Sequence, residues 1–66
     1  MAVARVSKIT AASPKGFHEA ILEGMKRSAK TLRGITGLEV ISQKGKVQNG
    51  KIVEYRVTME VTFILE

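Results

Sequence analysis

Sixty-six residues make one domain, and a chain this short buries only about 60% of the surface that its unfolded form exposes. It carries 11 Lys and Arg against 6 acidic residues, for a formal charge of +5, and no Cys; a disulfide staple and a thiolate metal site are excluded, and oligomerisation is the support that remains. The positive balance points to anionic partners such as nucleotides, phosphorylated cofactors or nucleic acid. No apolar run approaches the ~18 residues of a membrane-spanning helix, and without a signal-peptide pattern the expected location is the cytoplasm.

Val3 to Thr10 reads as a first strand centred on Ala4 to Ile9, because Val3, Val6 and Ile9 are interleaved with Arg5, Ser7 and Lys8. A loop is expected over Thr10 to Ser13. Ser13-Pro14 then opens a helix, since a Ser hydroxyl can accept from free N–H groups and Pro is tolerated in the first turn. The helix should run from Pro14 to about Arg33, with Gly34 supplying the left-handed residue that commonly ends one. Phe17, Ala20, Ile21, Gly24, Ser28 and Leu32 share one helical stripe facing the sheet, with Glu19, Glu23, Lys26, Lys30 and Arg33 opposite. His18, Leu22, Met25 and Ala29 widen the apolar arc along one flank, beyond what a three-stranded sheet covers, which predicts a subunit contact. Glu23 is spaced to pair with Lys26 and Arg27.

Leu38 to about Val47 forms the second strand, and Asn49-Gly50 is a strong two-residue hairpin signal. From Ile52 to Glu66 the last strand alternates without a break. Val53, Tyr55, Val57, Met59, Val61, Phe63 and Leu65 fall on one parity, and Ile52, Glu54, Arg56, Thr58, Glu60, Thr62, Ile64 and Glu66 on the other. Arg56 and Thr58 sit at mid-strand on that polar face, where a ligand or a second subunit could meet them. A two-residue turn places Leu38 across from Val61 and Val40 across from Met59, so the apolar faces agree. It also sets Glu39 across from Glu60, which is unfavourable; either a bulge near Gly45 alters the register or something cationic separates the acids. The reading is an α+β domain of order βαββ, a three-stranded antiparallel sheet wrapped on one long amphipathic helix. The last strand is central and the helix makes a right-handed crossover.

Little in this inventory resembles an enzyme. His18 is the only His, and the absence of Asp rules out a Ser-His-Asp triad. Gly45-Lys46 lacks the rest of a phosphate-binding loop, and no GxGxxG occurs. Nucleic-acid binding is the rival function for a small basic domain. Against it, Phe17, Tyr55 and Phe63 all fall on core-facing positions, which leaves no exposed platform for base stacking, and there is no GXXG clamp.

Ser13 through Gly16-Phe17, Lys30-Thr31-Leu32-Arg33, Leu38-Glu39-Val40 and the closing Tyr-x-Val-x-x-Glu-Val-x-Phe-x-Leu-Glu of Tyr55 to Glu66 resemble the dodecins over nearly the whole chain. That resemblance implies a homododecameric hollow cage that stores or sequesters a small ligand, flavin (riboflavin or FMN) in many members, without turnover. Where flavin-binding members carry a stacking Trp, this chain has Gly37; where they carry a Gln that hydrogen-bonds the ring edge, it has Arg56. Lys44 and Lys46 match further ligand-lining positions, and Arg27, Thr31 and Arg33 match positions that meet a coenzyme A or nucleotide phosphate in some members. Gly37 offers no π surface, and Arg56 cannot accept a hydrogen bond, so the cage is expected to be kept and flavin affinity weakened or redirected.

Overall fold

The computed structural model describes residues 3–65. In chain order it contains β1 (Val3–Ser13), α1 (Phe17–Thr31), β2 (Ile35–Gln48) and β3 (Lys51–Leu65). The sheet order is β1-β3-β2, and both pairings are antiparallel. The βαββ order and the central position of the last strand are as the sequence predicts, although the expected end of that strand at Glu66 lies outside the described residues. Asn49 and Gly50 both take positive φ, 53° and 76°, the conformation that joins two strands without splaying them.

The helix is shorter than Pro14 to Arg33, and the reason lies at both ends. Thr10 to Ser13 is strand, not loop: β1 keeps its pairing with β3 as far as Ser13 opposite Tyr55. The Ser13 hydroxyl accepts from the Lys15 N–H at 3.0 Å and does not cap the helix. Helical bonding starts when Gly16 C=O accepts from Ala20 N–H at 3.1 Å, and the Phe17 ring meets Tyr55 edge-on, with centroids 5.0 Å apart and planes at 82°. At the far end Leu32 is already extended and packs against the core. Gly34 does adopt the left-handed region, at φ 70°, but in the link after the helix, where its carbonyl accepts from Ile64 N–H at 3.0 Å. β2 accordingly starts at Ile35, earlier than Leu38.

Ala20, Gly24 and Ser28 are the buried line of the helix, and Val57, Met59 and Val61 the fully buried side chains beneath it. Small residues at successive turns let the helix axis approach the sheet closely. Met25, expected on the free flank, instead packs against this core, whereas Leu22 stays 54% exposed and His18 and Ala29 are exposed too. α1 lies on β1 and β3. Because it is displaced from β2, the helix-side residues Leu38, Val40, Val47 and Ile52 remain open to solvent.

Three bulges shape β2–β3 pairing. Val53 is extra between the pairs Lys46↔Glu54 and Val47↔Ile52, Ile41 is extra between Val40↔Met59 and Ser42↔Thr58, and Thr36 is extra between Ile35↔Phe63 and Gly37↔Thr62. Each extra residue exchanges the faces of the strand positions beyond it, because side chains alternate with period two. The bulge near Gly45 exists, but Ile41 reverses its effect, so Leu38 and Val40 face the helix side and Glu39 does stand opposite Glu60.

A Cβ added at Gly24 would come within 2.7 Å of Met59 Cε, 3.1 Å of Ala11 Cβ and 3.5 Å of Ile9 Cδ1. Gly24→Leu should therefore destabilise by about 1–3 kcal/mol through overpacking, seen as a lower urea midpoint at unchanged slope. A midpoint at or above that of the wild type would show that the helix-to-sheet approach does not limit the core.

Candidate ligand-binding site

With Val57, Met59 and Val61 turned to the helix, the even-numbered residues of β3 from Glu54 to Thr62 lie on the opposite, helix-free face. The register builds cross-strand rows on that face. Gly37, Thr62 and Val6 form one row; Glu39, Glu60 and Lys8 the next; then Ser42, Thr58 and Thr10; then Lys44, Arg56 and Ala12; and finally Lys46 with Glu54. Thr10 Oγ1 and Thr58 Oγ1 are hydrogen-bonded at 3.0 Å. Arg56 Nη2 donates to Glu54 Oε1 at 2.7 Å, an ion pair between neighbours on the same face.

Lys44, Lys46 and Arg56 are thus brought together at the hairpin end, with Glu54 as the acid among them. Without the Val53 bulge, Ser42, Lys44 and Lys46 would have turned to the helix side. Gly37 stands apart: its partner Thr62 is about 20 Å from Arg56 at ~3.4 Å of strand per residue. Gly37 is paired strand with no positive φ, not a left-handed loop residue, and a Cβ there would meet nothing within 4 Å. A single chain therefore cannot apply both positions to one flavin-sized ligand. The aromatic pair Phe17–Tyr55 lies on the helix side, so among the described residues no ring stacks on the open face.

The other predicted set divides. Arg27 and Thr31 line a groove of about 610 Å³ between α1 and the edge strand β1, together with Ile9, Ala11, Gly24 and Ser28. Arg27 is held by Glu23, Nε to Oε1 at 3.5 Å, yet its side chain is 81% exposed. Thr31 Oγ1 donates to the Ser28 carbonyl at 3.4 Å. Arg33 lies past the helix end, exposed, and does not line the groove. Sequence reasoning left out Glu54 and Glu23 as site residues. Parity on β3 was enough to put Glu54 beside Arg56, and helical spacing to put Glu23 beside Arg27; the placing of Thr10 and Ser42 in one hydroxyl row with Thr58 needed the pairing register.

Among the described residues no helix is long and apolar enough to cross a membrane, and no group of three or more His, Cys, Asp or Glu could hold a metal ion. The dodecin family model matches residues 3–66. A dodecin of Thermus thermophilus is 34% identical over 59 residues, covering 89% of this chain and 86% of the relative. Among solved structures, dodecin from Streptomyces davaonensis superposes with a TM-score of 0.93 at 35% identity, over 98% of this chain and 96% of that one. A calcium dodecin from Mycobacterium tuberculosis, described as a calcium-chelating antigen, gives a TM-score of 0.83 at 28% identity, over 97% and 91%. The family match along the described length, the relative above 30% identity and the shared fold agree: the chain belongs to the dodecin family.

Proposed function

We propose that this protein is a homododecameric cytoplasmic cage that stores or sequesters a small ligand without turning it over. What carries the reading is family membership over residues 3–66, joined to a sheet that its own helix covers only in part. Leu38, Val40, Val47 and Ile52, on the helix side of β2 and its hairpin, are each more than a third exposed. Burying apolar area is worth about 25 cal/mol per Å², so a chain lacking other reinforcement gains most by placing that stripe against neighbouring copies. Beyond the end of β1 the hairpin is a two-stranded ribbon, an arrangement marginal in water when it stands alone.

The ligand face differs from that of a flavin-binding relative where contact with a ring is made. Gly37 supplies no stacking surface, where aromatic stacking contributes about 1–3 kcal/mol per contact. Arg56 is already engaged by Glu54 and has only N–H donors to offer. Lys44 and Lys46 leave the hairpin end of the face cationic, which suits a phosphorylated ligand such as FMN better than a neutral one. The groove holding Arg27 and Thr31 offers a second place for a phosphate, as in coenzyme A or another nucleotide.

Light scattering should give twelve times the 7.2 kDa chain mass; a monomer in dilute buffer would overturn the cage, and a trimer would remove it while leaving the fold. Wild-type protein should quench riboflavin or FMN fluorescence weakly, and Gly37→Trp combined with Arg56→Gln should lower the apparent Kd for flavin at least tenfold. Sub-micromolar flavin binding by the wild type would show that another residue provides the stacking surface. In a gel-shift titration, single- and double-stranded oligonucleotides should not bind; tight binding that weakens steeply with salt would favour the nucleic-acid rival.

A further inference from the structure

Asn49, the only Asn in the chain, is followed by Gly50, and these two residues make up the whole turn between β2 and β3, at φ 53° and 76°. Every residue from Gln43 to Val53 is exposed, and a Cβ added at Gly50 would meet nothing within 4 Å. The pairing of β1 stops at Ser13 opposite Tyr55, so the strand ends that carry the turn are held only by each other, an arrangement marginal in water. The Asn49 side-chain amide carbon is one ring closure away from the Gly50 backbone nitrogen, and Gly leaves that nitrogen unshielded because it has no Cβ.

We propose that Asn49-Gly50 is a self-modifying site, at which the turn holds back deamidation and opening of the ribbon releases it. The deprotonated Gly50 nitrogen attacks Asn49 Cγ and closes a five-membered succinimide; the bond from Cγ to Nδ2 breaks, and ammonia leaves with the proton that the Gly50 nitrogen gave up. Water then opens the ring. Addition at Cγ restores the main chain and leaves Asp, whereas addition at the main-chain carbonyl leaves the chain running through Cγ as isoaspartate. A left-handed residue has ψ of about +47°, and at that angle the next nitrogen lies anti to its Cβ, out of reach of Cγ. Ring closure therefore requires ψ of Asn49 to rotate by nearly half a revolution, which the two-residue turn forbids while Gln48 stays paired with Lys51. The folded rate is the rate in a disordered chain multiplied by the fraction of time that the ribbon is open. Either product adds a carboxylate to a hairpin end that carries Lys44, Lys46 and Lys51. Isoaspartate also lengthens the backbone of the turn, so the ribbon is looser after the reaction than before it.

The gate is the turn itself, so the site is expected whether or not the chain assembles. Full-length protein is incubated at mildly alkaline pH in buffer and in guanidinium chloride, then cut with trypsin, and the peptide Val47–Lys51 is resolved into its Asn, Asp and isoaspartate forms by chromatography and mass spectrometry. The Asn form should disappear at least about tenfold faster in guanidinium than in buffer, and both acids should appear. Asp alone would mean direct hydrolysis of the side-chain amide and would overturn ring closure. Equal rates in the two solvents would overturn the gate, and a peptide that survives in guanidinium would overturn the site; neither comparison needs a variant to fold. Val47→Gly weakens the cross-strand pair with Ile52 beside the turn, and should raise the rate in buffer severalfold while leaving the rate in guanidinium unchanged. A rate in buffer that this change does not move would show that the ribbon's pairing is not what holds the reaction back. Asn49→Gln should remove the reaction in both solvents; acid formed as fast in that variant would come from Gln48, in the same peptide, and would overturn the assignment to Asn49.

Discussion

β3 is hydrogen-bonded along both edges, and every other element takes its position from that strand. Its odd-numbered residues Val57, Met59 and Val61 are fully buried and supply the surface onto which α1 packs, so the alternation that burial enforces on β3 settles which side of β1 and β2 faces the helix. Strand β1 follows this parity without interruption over its whole length. The pairing of β2 with β3 does not, and carries an extra residue at three places, Thr36 and Ile41 on β2 and Val53 on β3.

The helix sits close because the residues along its inner line are small, and it sits off-centre. That combination produces a core of few large side chains and leaves a long apolar stripe on β2 outside it. The structure is 52 Å long but only 19 and 13 Å across its other axes, because the hairpin extends past the end of β1 with no third strand beside it. In a chain without disulfides, such a shape leaves apolar area that the proposed assembly would bury between copies, the same residues then serving as interface and as completion of the core.

On the helix-free face the chemistry favours charge over ring contact. Gly37 sits in open space and Arg56 is braced by Glu54 along the strand. An Arg held in this way presents a fixed guanidinium fork, suited to a phosphate or carboxylate and less suited to the edge of a flavin ring that requires both donor and acceptor. The hydroxyl pair Thr10–Thr58 is neutral and satisfied, so it separates the acidic and basic parts of the face without adding charge to either.

Much of this architecture is written in local patterns. The order βαββ, the Asn49-Gly50 turn, the stripe of Ala20, Gly24 and Ser28, the alternation of β3 from Glu54 onward and the resemblance to dodecins are all legible from residue spacing, because hydrophobic period and turn chemistry act over a few residues. The end of β1 and the start of α1 depart from that local pattern because Ser13-Pro14 signals a helix, while pairing with Tyr55 across the sheet holds Ser13 in a strand. The grouping of Lys44 and Lys46 with Arg56 depends on the bulges at Val53 and Ile41, which cancel beyond Ile41 and leave Glu39 opposite Glu60 as the two-residue turn alone would set it. A bulge leaves no mark in the composition of its own strand; it arises where the alternations of two paired strands fall out of step, and only their tertiary pairing decides which residue is left over.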